Sequence, residues 1–318
     1  MQSESINRPV IFIQGLFKSY GRTQALRGVN LAVQPGEIFG FLGPNGSGKT
    51  TTIRCLLDLI RPNQGEVRVL GVDPQVDPLS VRVRTGYLPG ELRIEENFNV
   101  EGVLRYLNYL RQNKADWTFV RRLAERLELD LNTTIKNLSK GNKQKVAVVQ
   151  ALMHRPELLL LDEPTAGLDP MMQQEVLNLI GEARQAGATV FFSSHILNEV
   201  EASADRVGII RQGVVVEVAE TAALVNRAVR RVHIHFRQAV DSSQLTSLPG
   251  VKLLAAYEGQ HILLQTEGEM GELIKALAGL PVIDLETERP SLEEVFFTYY
   301  QSDRLDSKIS NSSLSQPQ

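Results

Sequence analysis

The sequence predicts an α/β fold with a parallel central sheet, and three observations carry that prediction. Short continuous apolar runs, Ile38-Phe39-Gly40-Phe41-Leu42, Leu158-Leu159-Leu160-Leu161 and Ala188-Thr189-Val190-Phe191-Phe192, have the length and all-round hydrophobicity of strands buried on both faces. Between them lie segments whose apolar residues recur at helical spacing, so that strands alternate with helices. The third is the loop Gly43-Pro44-Asn45-Gly46-Ser47-Gly48-Lys49-Thr50, which fits G-x-x-x-x-G-K-[ST] and stands between a strand and a helix.

From the N-terminus, Val10–Ile13 and Val29–Val33 read as strands, with Lys18-Ser19-Tyr20-Gly21 a turn between them. The turn Gln34-Pro35-Gly36-Glu37 feeds the strand Ile38–Leu42. After the loop, Ile53, Leu56, Leu57 and Ile60 mark a helix that Arg61-Pro62-Asn63-Gln64-Gly65 breaks. Glu66–Leu70 and Thr85–Leu88 are further short strands. From about Val100 to Glu128 the pattern is helical, carried by Val103, Leu104, Leu107 and Leu110, then by Val120, Leu123, Ala124 and Leu127. Leu138–Leu152 is another helix, opened by Ser139 and Gly141 and closed before Pro156. Helices are expected at Val176–Ala183 and Asn198–Ala204. Strands are expected at Arg206–Ile210 and Val214–Val218, around Gln212-Gly213.

Beyond Glu220 the texture changes. Val232, Ile234 and Phe236 alternate with His233 and His235, the pattern of a half-buried antiparallel strand. A short helix (Ser242–Leu248), two strands (Val251–Tyr257 and His261–Thr266), a helix (Glu269–Leu277) and a strand (Val282–Glu286) follow. That β-α-β-β-α-β order predicts a small ferredoxin-like α+β module. A closing helix is expected at Ser291–Tyr300 and a disordered Ser-, Asn- and Gln-rich tail at 301–318. The predicted organisation is therefore a large α/β domain over 1–219, an accessory module over 220–300 and the tail.

Composition narrows the class. At 42% hydrophobic and 22% charged over 318 residues, with a net charge of −3, the chain is an ordinary globular one with no global attraction to nucleic acid or anionic membrane. No apolar run approaches the ~18 residues of a membrane span. Residues 1–9 lack the basic start and apolar core of a secretory signal. The single Cys55 excludes an internal disulfide framework, and its place in the helix after the loop points to buried packing. His233 and His235 read as solvent-facing, with no carboxylate or Cys partner nearby to complete a metal site.

The Gly-rich loop is a phosphate cradle. Its glycines let successive backbone N–H groups converge on one anion, and the helix N-terminus adds its partial positive charge. Lys49 is placed to reach the β- and γ-phosphates and Thr50 to offer a hydroxyl to Mg²⁺, with Thr51 completing the candidate nucleotide-binding residues. At the end of the Leu158–Leu161 strand stand two adjacent carboxylates. Asp162 is the candidate for holding Mg²⁺ and Glu163 the candidate for polarising the attacking water.

The order of motifs resembles that of the ATP-binding subunits of ABC transporters. The matching positions are Tyr20, Gly43–Thr50, Leu138-Ser139-Lys140-Gly141-Asn142, Leu158–Glu163, Ala166-Gly167-Leu168-Asp169 and His195, and they span most of residues 10 to 219. The resemblance implies an antiparallel β subdomain and a helical subdomain beside the parallel core. It implies that Tyr20 stacks on adenine and that Ser139 and Gly141 face the γ-phosphate held by the other protomer. By the same likeness Asp169 lies at a dimer seam and His195 contacts the γ-phosphate. Nucleotide then acts as glue: binding closes two ATPase domains and hydrolysis reopens them.

Two motifs depart from the family pattern. Gly90 stands after Tyr87-Leu88-Pro89 where the family has Gln, so either neighbouring Glu91 takes over that water or metal contact or coupling at this loop differs. Lys140 and Asn142 replace the usual third and fifth residues of the signature. The C-terminal pattern, ending in Arg289-Pro290-Ser291-Leu292-Glu293-Glu294-Val295-Phe296, looks like the accessory domain of type-two ABC exporters, whose permease is a separate polypeptide. The expectation is thus a cytoplasmic ATPase using ATP and Mg²⁺, a homodimer or one of a pair of ATPase subunits, peripheral to the membrane through a separately encoded permease and with no nucleic-acid partner. The alternative is an ABC-type ATPase acting on DNA or ribosomes. It lacks support, because no long coiled-coil insertion separates Thr50 from Leu138 and only one set of motifs is present. A nucleotide-binding regulator without turnover has no need of Glu163.

Overall fold

The computed structural model describes residues 8–91, 96–227, 230–266 and 270–288. The chain divides into two compact units, Met1–Ala219 and Glu220–Gln318.

In the first unit, β1 (Ile11–Tyr20) and β2 (Thr23–Val33) form a long antiparallel hairpin. Lys18–Tyr20 therefore belong to a strand, and the turn is the residue pair Gly21-Arg22, with Gly21 at φ 57°. Register shifts near Gly15 and Gly28 break the alternation of buried and exposed residues, and this hid the true strand length from the sequence pattern. After β3 (Ile38–Leu42) comes α1 (Lys49–Leu56), and β4 (Gln64–Val69) joins the far side of β1. The three-stranded sheet has the order β2-β1-β4. Next, α2 (Pro78–Arg84) starts on an Asp77 side chain that accepts from the Ser80 N–H, with Pro78 at its first position, and leads into β5 (Thr85–Leu88). The sequence pattern did not show this helix, because its only fully buried residue is Val81.

The helical stretch expected over 100–128 is two helices, α3 (Val100–Leu110) and α4 (Trp117–Arg126). Gln112 and Asn113 take positive φ, and the Asn108 side chain accepts from the Ala115 N–H, so the chain reverses there. Helix α5 (Lys140–Leu152) is capped by Ser139, whose Oγ accepts from the Asn142 N–H. Then follow β6 (Leu158–Asp162), α6 (Pro170–Gln185), β7 (Thr189–Ser194), α7 (Leu197–Ser203), β8 (Arg206–Arg211) and β9 (Val214–Glu220). Helix α6 begins six residues earlier than its apolar pattern, because Asp169 caps it and Pro170 opens it.

The six-stranded sheet runs β5-β6-β7-β3-β8-β9, and the pairs β5·β6, β6·β7, β7·β3 and β3·β8 are parallel, as expected of continuous apolar strands. Phe191 packs between Phe39 and Phe41, with ring centroids 5.7 and 5.2 Å away. Aromatic pairs of this kind add roughly 0.5–1.5 kcal/mol each beyond simple burial. Parallel pairing puts the C-terminal ends of β3, β6 and β7 on one edge, where Gly43, Glu163 and His195 begin their loops.

The second unit opens with α8 (Thr221–Arg227), then β10 (Arg230–Phe236), α9 (Ser243–Thr246), β11 (Val251–Tyr257), β12 (His261–Thr266), α10 (Gly271–Leu277) and β13 (Val282–Glu288). The β-α-β-β-α-β order is the one expected, though α9 is a single turn. Its sheet is antiparallel throughout, in the order β11-β12-β10-β13. Val232, Ile234, Phe236, Ile262 and Leu264 pack with Leu245, Leu273 and Leu277 of the helices. His233 and His235 face away from that core, and one carboxylate absent from their local sequence reaches His233 across the sheet. Glu288 lies 3.1 Å from His233 Nε2, which corrects the expectation that no acid stands beside this pair. The closing helix 291–300, the tail 301–318 and the Arg289–Phe296 pattern lie outside the described residues, as does Glu269 at the expected start of α10.

Candidate functional site

The phosphate loop leaves β3 through a set of close backbone approaches that only glycine permits. Gly48 caps α1 at φ 115°, and a Cβ there would sit 2.8 Å from Leu26 Cδ2 and 2.9 Å from the Ala25 carbonyl oxygen. Gly43 packs against the Ile210 carbonyl and donates its N–H to Ser194 O, tying the loop to the end of β7. The loop is thus set before any ligand arrives, with Pro44, Asn45 and Gly46 toward solvent and Ser47 buried. Behind them, Thr50 and Thr51 sit half-buried in the first turn of α1. Ser47 Oγ has no hydrogen-bond partner among the described residues.

Lys49 is buried at the centre. Its ammonium donates to the Gly43 carbonyl at 2.6 Å and the Pro44 carbonyl at 3.2 Å, and lies 3.5 Å from Glu163 Oε1. Burial pulls the Lys49 pKa below its ordinary value, and the charges of Glu163 and Asp162 oppose that pull. His195, just past β7, places Nδ1 3.2 Å from the same Glu163 oxygen. One carboxylate therefore meets both a lysine and a histidine at the mouth of the phosphate loop.

Asp162 is 1% exposed. Its Oδ1 accepts from the Ser193 hydroxyl at 2.6 Å, whereas Oδ2 has no hydrogen-bond partner among the described residues. Gly90 lies directly against it: a Cβ on Gly90 would fall 3.0 Å from Oδ2. Glu91, the candidate metal contact, is exposed beside Gly90. A buried carboxylate oxygen without a donor suits a hard cation. Mg²⁺ takes oxygen ligands, needs one or two carboxylates and completes its shell with phosphate and water. Asp162 and the Thr50 hydroxyl offer that chemistry.

Glu163 takes a left-handed backbone, φ 53°, which costs a non-glycine residue roughly 1–2 kcal/mol. Three elements hold it there. Its N–H meets the Ser193 carbonyl and hydroxyl, both at 3.1 Å, from β7. Its carbonyl accepts from the Ala166 N–H and from the Gln144 side chain of α5. Downstream, Thr165 donates to the buried Glu199 carboxylate of α7, which also accepts from Ser194 at 2.7 Å. Gln144, Ser193 and Glu199 were missed in the sequence. Ser193-Ser194 adjoining His195 was the available signal for the serine, and nothing local marked Gln144.

The remaining candidates are placed by other contacts. Ser139 is exposed at the N-terminus of α5, and Gly141 packs so closely on the next loop that a Cβ would stand 2.8 Å from the Gly167 carbonyl. The Lys140 stem lies over Gly167. Asp169 is exposed and accepts from the Met171 and Met172 N–H groups, a helix cap by its contacts. Tyr20, 47% exposed, ends β1 at the tip of the hairpin whose second strand touches Gly48, and Lys18 Nζ stands 5.3 Å from its ring. Cys55 is buried and its thiol is pushed up to about 12, so it plays no part in this chemistry.

The family model described as ABC transporter matches residues 26–166. The bacitracin transport ATP-binding protein BcrA of Bacillus licheniformis is 32% identical over 300 residues, covering 90% of this chain and 96% of its own. The daunorubicin resistance ATP-binding protein DrrA3 of Streptomyces coeruleorubidus is 31% identical over 310 residues, covering 92% and 96%. Among solved structures, an ATP-binding subunit of an ABC transporter superposes with a TM-score of 0.61 at 29% identity, over 68% of this chain and 91% of the other. A dimeric ATP-binding cassette bound to ADP and Pi superposes at 0.60 with 23% identity, over 66% and 98%, a likeness of fold.

Proposed function

Since the chain belongs to the ATP-binding subunits of ABC transporters, we propose that it hydrolyses ATP as a homodimer whose closure and reopening drive a separately encoded permease exporting antibiotic- or drug-like compounds. The observation that carries the reading is the meeting of Lys49, Glu163 and His195 at the mouth of a phosphate loop, with the buried Asp162 beside them. The export of such compounds rests on relatives named for bacitracin transport and daunorubicin resistance, which this chain matches over nine-tenths of its length.

The backbone N–H groups of Gly46–Thr50 and the Lys49 ammonium hold the β- and γ-phosphates, and Tyr20 stacks on the base. Lys49 then exchanges its loop-carbonyl contacts for phosphate oxygens. Glu163 accepts a proton from water as the water oxygen bonds to the γ-phosphorus and the β–γ bridging bond breaks, with the leaving electrons carried onto ADP. His195, in contact with the same carboxylate, orients it and donates to a γ-phosphate oxygen. Mg²⁺ held by Thr50 and Asp162, with Glu91 nearby, would neutralise charge on the phosphates. Ser139 and Gly141 present the N-terminus of α5 to the γ-phosphate bound by the partner, with Asp169 at the seam.

A surface for the permease is supported by exposed apolar residues on α2 and α3. Leu79 and Val83 lie one turn apart on α2, and Tyr106 and Leu110 one turn apart on α3. Arg111 donates to the carbonyls of Arg82, Val83 and Thr85, joining the ends of the two helices. Among the described residues no helix is long and apolar enough to cross a membrane. The reading assigns the transport path to a separate chain, with this subunit acting on its cytoplasmic side. The unit after Glu220 is read as a ferredoxin-like accessory module that tunes coupling. Affinity capture of the tagged chain from detergent-solubilised membranes tests the assignment. The expected result is co-purification of a polytopic membrane protein whose presence raises ATPase activity. Recovery with ribosomes or DNA instead would favour the non-transport reading.

A further inference from the structure

The signature helix α5 begins at Ser139, but its firmest connection to the rest of the site lies one turn further on. Gln144 is 8% exposed, and its side-chain amide donates to two consecutive backbone carbonyls, Glu163 O and Pro164 O, each at 3.0 Å. No other side chain is seen bonding those two carbonyls among the described residues. Glu163 carries the left-handed φ described above, and the backbone at that residue sets the direction in which its side chain leaves the strand. Ser193 fixes the N–H side of Glu163 and Gln144 fixes the carbonyl side. The carboxylate is thereby aimed at Lys49 and His195 without either anchor touching it.

The same amide is rigidly connected to the helix start. Gly141 packs backbone to backbone against Gly167, three residues beyond Pro164. Any shift of the first turn of α5 is therefore felt along residues 163–167 as a unit. We propose that Gln144 is a positioning residue that sets the aim of the Glu163 carboxylate and passes the engagement of the signature helix to the catalytic base of its own subunit. This rests on the ATPase reading above and deepens it: occupancy of the partner's nucleotide at Ser139 and Gly141 readies hydrolysis in the home site. No bond to substrate is assigned to Gln144, and its effect runs wholly through Glu163.

The test is a kinetic cycle on the full chain. Gln144→Met keeps the length and lack of branching while removing both donors. Gln144→Glu keeps the shape and turns the donor into an acceptor facing two carbonyls. Turnover is counted per bound fluorescent nucleotide, so that any loss of folded protein does not enter kcat. A misaim of about 1 Å costs up to ~10²-fold in rate. Both variants should therefore lose roughly 10- to 100-fold in kcat, with KM for ATP within about threefold of wild type. Combined with Glu163→Gln, Gln144→Met should cost nothing further in single-turnover phosphate release, because the group being aimed is gone. Wild-type kcat in both variants, a change confined to KM, or losses that multiply in the double variant would each overturn the proposal. Wild-type turnover in Glu163→Gln alone would instead overturn the ATPase assignment of Glu163 on which it rests.

Discussion

Replacing Ser193 by alanine isolates the support of the buried Asp162. The serine hydroxyl makes two contacts: it donates to Asp162 Oδ1 at 2.6 Å and accepts from the Glu163 N–H at 3.1 Å. The Glu163 N–H keeps a partner in the variant, because it also reaches the Ser193 carbonyl. Asp162 does not. With Oδ2 already without a donor among the described residues, the substitution leaves a 1%-exposed carboxylate unsupported. Hydrogen bonds to charged groups contribute ~1.5–3 kcal/mol, and that is the expected destabilisation. For a unit of this size, ~2–4 °C per kcal/mol converts it to a fall in Tm of roughly 3–12 °C. Urea unfolding and thermal melts measure it. Saturating Mg²⁺ with a non-hydrolysable ATP analogue should restore part of the loss, since a cation on Asp162 replaces the missing donor. The ligand-induced rise in Tm should thus be larger in Ser193→Ala than in wild type. A destabilisation below 0.5 kcal/mol, on the scale of an ordinary surface change, would refute this description of Asp162.

Lys49→Ala removes the cation that the loop carbonyls and Glu163 hold in place, and fluorescent-nucleotide titration should show affinity lost by at least tenfold; unchanged affinity would be incompatible with the site. His154 offers a pH test: burial, with Arg111 and Lys114 adding to it, brings its pKa down to about 4. Protonation in the unfolded chain begins near the ordinary histidine value of 6.5 and in the folded chain only near 4. Stability should therefore fall as pH drops through that window and level off below it, and His154→Gln should flatten this limb of the unfolding curve.

Much of the candidate site was legible because its signals are local. Gly43–Thr50 must be contiguous to cradle a phosphate, and Asp162-Glu163 must follow a buried strand to reach the same edge. The central strands were legible for the same reason, since burial on both faces writes a continuous apolar run. What escaped was of two kinds. Element ends were lost where a polar cap rather than an apolar stripe does the work, as at Asp169-Pro170 before α6 and Asp77-Pro78 before α2. Contacts were lost where partners are remote in sequence. Gln144 meets the Glu163 carbonyl 19 residues on, and His233 meets Glu288 55 residues on, so neither pairing leaves a local pattern.

The central claim is that ATP joins two copies of this chain and that Glu163 converts the closed pair back to open subunits. Sedimentation of Glu163→Gln with and without ATP tests it most directly. Loss of the general base should lower turnover by roughly 10²–10⁴ while leaving nucleotide binding intact. The variant should run as a monomer without nucleotide and as a stable dimer at saturating ATP. A monomer at saturating ATP, with nucleotide demonstrably bound, would contradict the account.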